Sequence, residues 1–342
     1  MIREYLMISR LFNMGLTGVA PVLGAFAMWN NENTTVLHYF ILFSIGCFSH
    51  VYGFVLNDIV DTKVDKLSKE LFSRPLVSES ISRKKAAYFA VICMISSFIF
   101  SIYFFNNNIT VFIIQISILL FAYILATIYN FGSKRYPGMD IFVAGAVFFL
   151  IIYGAATISI DRLFSEPLIW IVALIGGLQV IFMNMINGAI KDIDHDEKGF
   201  ANTIAIKLGA KTHKGIIMLP RAFRIVGYSV ELLRSFLIFL PFLYIPKFNQ
   251  SIDIFLIIRI AFLVFLTLIT FYFIHRLFSI KKFERDEIRK TIGVIVIVMY
   301  ATAPVMLSTL NITFFIIAFV PPFWFVLSNL ILHGTLLSPK TM

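Results

Sequence analysis

The residues of this chain best suited to chemistry are two rows of aspartates. The first is Asn57, Asp58, Asp61 and Asp65, and the second is Asp192, Asp194 and Asp196, preceded by Lys191. On a continuing helix Asn57, Asp61 and Asp65 fall at i, i+4 and i+8, on one face, with Asp58 close to the same stripe. Asp192 and Asp196 repeat the i, i+4 spacing. Like charges so placed repel and destabilise a helix, and near a membrane boundary their desolvation costs more. Something positive must neutralise them. Oxygen ligands in this pattern suit Mg²⁺, which keeps several waters and is held by one or two carboxylates together with substrate phosphates. Two facing clusters could hold two or three such ions around one diphosphate. The plain alternative is a pair of solvated loops balanced by Lys63, Lys66, Lys191 and Lys198. Two clusters, each at the end of an even-numbered apolar run and four runs apart, argue against it. A calcium loop beginning at Asp192 fails, because Glu197 stands where Gly is wanted and Thr203 where Glu is wanted.

The elements that must carry these rows follow from composition. Of 342 residues, 59% are apolar, 38 are Phe and only 14% are charged; the mean hydropathy is +0.88. So little polar surface cannot cover so much apolar mass in water. The pattern predicts an all-α, polytopic transmembrane helical bundle, integral to the membrane and forming a single domain over 1–342. Runs near the ~20 residues that a bilayer core requires cover 12–29, 36–56, 86–105, 109–129, 139–160, 167–190, 222–246, 253–275 and 291–310. That makes nine spans, or ten if 312–332 crosses separately beyond Asn311. Arg224, Glu231 and Arg234 interrupt the run at 222–246. The run after Arg3 and Arg10 reads as a retained first span.

The gaps 57–85, 130–138, 191–221 and 276–290 are basic and alternate with nearly uncharged gaps at 30–35, 106–108, 161–166 and 247–251. The positive-inside rule therefore puts the N-terminus, the basic gaps and both aspartate rows in the cytoplasm. The net charge of +10 is spread over these short gaps and forms no basic face, which excludes nucleic acid as a partner. Cys47 and Cys93 lie inside apolar runs and provide no disulfide framework.

Set in order, the motifs carry a resemblance. Asn57, Asp58, Asp61 and Asp65 fill an N-D-x-x-D-x-x-x-D pattern, and Arg74-Pro75-Leu76-Val77-Ser78 stands nine residues beyond its last aspartate. Asp192, Asp194 and Asp196 fill D-x-D-x-D and are followed by Gly199, Thr203, Leu208 and Gly209. Tyr129 with Lys134-Arg135 supplies a third element, one residue longer than usual. In these residues the chain resembles the UbiA superfamily of intramembrane prenyltransferases, over roughly residues 10 to 310. The usual family count is nine helices, and the run at 312–332 departs from it.

The resemblance implies Mg²⁺-dependent transfer of an isoprenyl group from a polyprenyl diphosphate to an aromatic or lipid-phosphate acceptor, with release of diphosphate at the cytoplasmic rim. In that scheme Asp58, Asp61, Asp65, Asp192 and Asp196 hold two or more Mg²⁺ ions bridging the diphosphate. Asn57 adds a neutral oxygen or orients Asp61. Arg74, Lys134 and Lys191, with Asp194 beside them, bind the diphosphate, and Tyr129 offers an aromatic face to the allylic cation. The loops 57–85 and 191–221 would cap the site against water. Arg10 and Asn13 would meet the acceptor head group, while His50 reads as a packing histidine. A rival reading makes the same aspartates the site of a cation- or proton-coupled transporter, but such charges usually sit at the midplane of broken helices. A CDP-alcohol phosphotransferase is excluded, since Thr62 follows Asp61 where that pattern requires Gly.

Overall fold

Inside a bilayer a backbone must satisfy its own hydrogen bonds, so apolar runs of this length become helices. The computed structural model describes residues 2–29, 34–67, 71–105, 108–248 and 253–339, and each predicted run is helical in it. Helices α1 (Ile2–Ile8) and α2 (Leu11–Ala27) form one bent element, turning by 58° at Arg10, which has a left-handed φ of 46°. They are followed by α3 (Val36–Asp65), α4 (Arg83–Phe105), α5 (Ile109–Gly132) and the 17-residue α6 (Asp140–Ala156). Next come α7 (Pro167–Ile181), a π-helical segment (Phe182–Gly188), α8 (Ala189–Lys198) and the short α9 (Ile204–Lys207). A hairpin of β1 (Lys211–His213) and β2 (Ile216–Met218) precedes α10 (Arg221–Tyr244), α11 (Ile254–Ser279), α12 (Arg285–Leu307) and α13 (Val320–His333). The gaps at 30–35, 106–108 and 247–251, and part of 57–85, lie outside the described residues.

The outer helices invert the soluble pattern. Ile92 and Ile99 on α4, Ile113 and Phe121 on α5, and Ile257 and Phe265 on α11 are exposed, as a lipid-facing surface requires. Inside, small residues let backbones meet. A Cβ on Gly24 would lie 1.8 Å from the Ile151 carbonyl oxygen, and one on Gly154 would lie 1.8 Å from that of Pro21. Helices α2 and α6 thus cross in backbone contact, the usual device where lipid competes for apolar side chains.

The interrupted run at 222–246 is one continuous helix. It tolerates its charges because Glu231 and Arg234 are fully buried and pair in bidentate fashion, at 2.6 and 2.8 Å, while Arg234 also donates to Thr302 on α12 at 2.9 Å. The segment 312–333 crosses separately, entering through a 3₁₀ segment (Ile312–Ala318). It runs antiparallel to α2: Phe314 stacks on Phe26, Trp324 donates to the Leu11 carbonyl at 2.7 Å, and Phe325 meets Phe12 edge-on. Arg3 donates to the Leu332 carbonyl, and Ser338 hydrogen-bonds to Asp286 at the start of α12. Both described ends of the chain therefore lie on the side that carries the aspartates.

Candidate functional site

Helix α3 stays helical through Asp65, so the predicted i, i+4, i+8 face exists. Asn57 donates to Asp61 at 3.1 Å, and Asn57, Asp61 and Asp65 line a cavity of about 240 Å³. Asp58 lies round the helix from them and is absent from the cavity wall. It takes Arg10 at 2.5 Å and Arg74 at 3.8 Å, and Arg74 reaches Asp65 at 2.5 Å. The left-handed backbone at Arg10 turns α1 away from α2 and aims this guanidinium at α3. The guanidinium also lies 5.0 Å from the Phe54 ring centroid.

The second row rides on a helix rather than a loop. The π-helical segment widens the chain between α7 and α8 and brings Met183, Asn184, Asn187 and Gly188 onto the cavity wall, followed by Lys191, Asp192 and Asp196. Inserted π turns recur at functional sites because they re-aim the residues beyond them. Asp194 does not line the cavity and instead accepts from Arg285 at 3.1 Å. Because both rows continue as helix, the stretches left to act as caps are 66–82 and 199–220, shorter than 57–85 and 191–221.

Lys134 bridges the rows. Its ammonium lies 2.6 Å from Asp196, and Lys191 lies 3.3 Å from Asp192. Burial works to lower the Lys134 pKa, but Asp196, Asp61 and Asp192 outweigh it and hold the amine above its ordinary value. Arg74 is likewise raised: burial opposes the charge, and Asp65, Asp58 and Asp192 more than restore it. Both side chains are fixed cations. Six motif aspartates nonetheless stand against five cations, Arg10, Arg74, Lys134, Lys191 and Arg285, and Asp140 adds a further carboxylate to the wall. A diphosphate would deepen this negative balance, so its binding calls for added positive charge.

The donor set fits a hard cation. Asp192 Oδ1, Asn13 Oδ1, Asn130 Oδ1 and Asn187 Oδ1 are buried on this cavity with no hydrogen-bond partner among the described residues. These atoms accept, and a diphosphate has nothing to donate to them, whereas a cation or its bound waters do. Among the described residues no three carboxylate, imidazole or thiol groups gather to ligate one ion unaided. That matches a metal held partly by protein and partly by substrate phosphates and water.

Further from the aspartates the wall turns apolar, with Leu16, Ala122, Ala146, Val147, Leu150 and Val180, and carries Tyr123, Tyr129 and Tyr300. Tyr123 spends its hydroxyl on Ser49 at 3.0 Å and Ser97 at 2.8 Å. Tyr129 thus stands on the cavity beside Lys134, and Arg10 and Asn13 stand on it from α2. His50 is buried and hydrogen-bonded with Thr17 and the Ser9 carbonyl, as expected of a packing residue. Sequence reading missed Arg285, Asp140 and the cavity asparagines. Arg285 had no signal beyond being one more basic residue in a basic gap, whereas the polar run Asn184 to Gly188 inside an otherwise apolar span was a visible hint.

A family model described as the UbiA prenyltransferase family matches residues 18–248. Among curated proteins, the digeranylgeranylglyceryl phosphate synthase of Methanococcus aeolicus is 26% identical over 209 residues, covering 61% of this chain and 69% of that protein. The synthase of the same description from Sulfolobus acidocaldarius is 26% identical over 218 residues, covering 62% and 71%. Among solved structures, a UbiA homolog from Aeropyrum pernix aligns with a TM-score of 0.63 at 14% identity, over 89% of this chain and 97% of that one. A UbiA homolog from Archaeoglobus fulgidus bound to GPP and Mg²⁺ aligns at 0.60 and 18% identity, over 89% and 99%. At these identities the two structures speak for the fold.

Proposed function

The chain belongs to the UbiA prenyltransferase family, and from that premise we propose that it moves an isoprenyl group from a polyprenyl diphosphate to a lipid-phosphate acceptor in a Mg²⁺-dependent reaction. That it is an intramembrane prenyltransferase follows from the family and the bundle. The observation that carries the finer reading is the meeting of both aspartate rows and their cations on one cavity that grades from charged to apolar. The acceptor class rests on the two synthases named above, whose descriptions specify a glyceryl phosphate.

The residues divide the work. Asp61, Asp65, Asp192 and Asp196, with Asn57, are placed to hold the metal. Bound there, Mg²⁺ supplies charge neutralisation to the diphosphate as a leaving group. Arg74, Lys134 and Lys191 bind the diphosphate oxygens, while Asp58 steadies Arg10 and Arg74. Tyr129 presents a ring face to the allylic carbon as its bond to oxygen lengthens. The apolar wall houses the first isoprene units and excludes water that would otherwise capture the cation. Arg10 and Asn13 receive the acceptor head group. The arrangement is set at the cytoplasmic face, where the basic gaps lie.

The test is release of diphosphate from labelled geranylgeranyl diphosphate by the purified protein, with Mg²⁺ or with a chelator, against lipid-phosphate and aromatic acceptors. Mg²⁺-dependent release with a prenylated glyceryl phosphate is the expected result. Release only with an aromatic acid would overturn the acceptor class. Absence of any metal-dependent release or donor binding would overturn the reading itself in favour of the transporter. Asp61→Asn and Asp192→Asn are expected to abolish turnover while the protein still extracts folded from membranes.

A further inference from the structure

Arg285 begins α12, ninety residues beyond the second aspartate row, and its side chain is 1% exposed. Its Nε and Nη2 both approach the Lys191 carbonyl oxygen, at 3.3 and 3.1 Å. Nη2 also reaches Asp194 at 3.1 Å, His195 Nδ1 at 3.0 Å and Asp192 at 3.6 Å. One guanidinium thus meets four consecutive or near-consecutive positions of α8. The planar fork of arginine can do this, whereas a lysine ammonium has a single head. Meanwhile the residues just before Arg285 are bound to the hairpin: Ile217 donates to the Lys281 carbonyl at 2.7 Å, and Phe283 donates to the Gly215 carbonyl at 2.8 Å. Asp286, just after it, is held by Ser338.

We propose that Arg285 is a positioning residue that clamps α8, holding Asp192 and Asp196 toward the cavity and tying this row to the β1–β2 hairpin, so that hairpin and row move as one unit. Asp194 is then the anchor of the clamp, which explains why it faces away from the cavity. The proposal rests on the reading of Asp192 and Asp196 as site residues. Partners that orient metal-binding side chains typically change metal affinity or activity by about 10- to 100-fold when removed.

The test compares Arg285→Gln, Arg285→Lys and Asp194→Asn with the unaltered protein. In the assay, Arg285→Gln is expected to lower kcat about ten-fold or more and to raise the Mg²⁺ concentration for half-maximal rate by a similar factor. The KM for the acceptor should change less than about two-fold, since the clamp touches neither Arg10 nor Asn13. Arg285→Lys should fall between, because it keeps the charge and loses the fork. Hydrogen exchange on the metal-free proteins gives a readout independent of turnover. Amides of 189–198 should exchange faster in Arg285→Gln and Asp194→Asn, with those of α2 and α6 unchanged. An unaltered Mg²⁺ response together with unaltered exchange in 189–198 would overturn the clamp, and so would a uniform loosening of all helices. If Arg285→Gln does not fold, Arg285→Lys and Asp194→Asn decide by the same two readouts. Should the unaltered protein prove inactive on every acceptor, the functional reading fails, while the exchange result still judges the clamp.

Discussion

Asp58 and Asp61 stand three residues apart in one motif, yet α3 gives them different work. Asp61 faces the cavity with Asn57 and Asp65, whereas Asp58 is taken up by Arg10 and Arg74. The shared face was legible in the sequence, because i, i+4, i+8 spacing is a property of any helix. The partners were not, because Arg10 and Arg285 come from distant segments and no local pattern announces where a long side chain will land. The contrast between two lysines makes the residue scale testable. Lys134 is a buried cation shared by both rows, while Lys63 is exposed. Lys134→Met is expected to raise the KM for the diphosphate donor about ten-fold or more, through loss of a charge-assisted contact. Lys63→Ala should leave it unchanged. Steady-state kinetics on the two variants checks both.

Among the elements, α10 was the run that hydropathy read least cleanly. The charges that interrupt it are what fix it, since Glu231 and Arg234 satisfy each other and Thr302 inside the bundle. Sequence spacing placed them at i, i+3 but could not say that they face α12 rather than lipid. Removing one partner strands the other, at a cost of about 3–5 kcal/mol, whereas an apolar pair of similar volume is close to neutral. Arg234→Ala should therefore lower the thermal midpoint in detergent markedly, and Glu231→Leu with Arg234→Met should recover most of it. Helices α2 and α6 give a companion case. Gly154→Leu would force a side chain into the Pro21 carbonyl, and loss of folded protein is expected, measured as the monodisperse fraction by size exclusion.

For the whole molecule, the ten helical runs bring the chain back to the side on which it starts. The contact of Arg3 with Leu332 and of Ser338 with Asp286 joins the two described ends beside the aspartates. Hydropathy left open whether 312–332 crosses, because length alone cannot tell a tenth span from a broken ninth. The antiparallel seam with α2 settles it. Cysteines placed at the exposed positions Ile2 and Leu336, with Cys47 and Cys93 replaced, should label from the same face in inverted vesicles. They should be silent from the other face in right-side-out ones.

The π-helical segment at 182–188 has a consequence for how this chain tolerates change. A helix is a rotary count, advancing about 100° per residue, and the π turn inserts one step into that count just ahead of Lys191. Deleting a single residue there would leave an unbroken, still apolar and perhaps firmer rod, since a strained turn would relax into an ordinary one. Every side chain downstream would nonetheless be dialled about a quarter-turn out of phase, and Asp192 and Asp196 would point at neighbouring helices. Length polymorphism at this place is therefore silent to hydropathy and lethal to the site. Point substitutions at the same positions, which leave the count intact, have far more freedom.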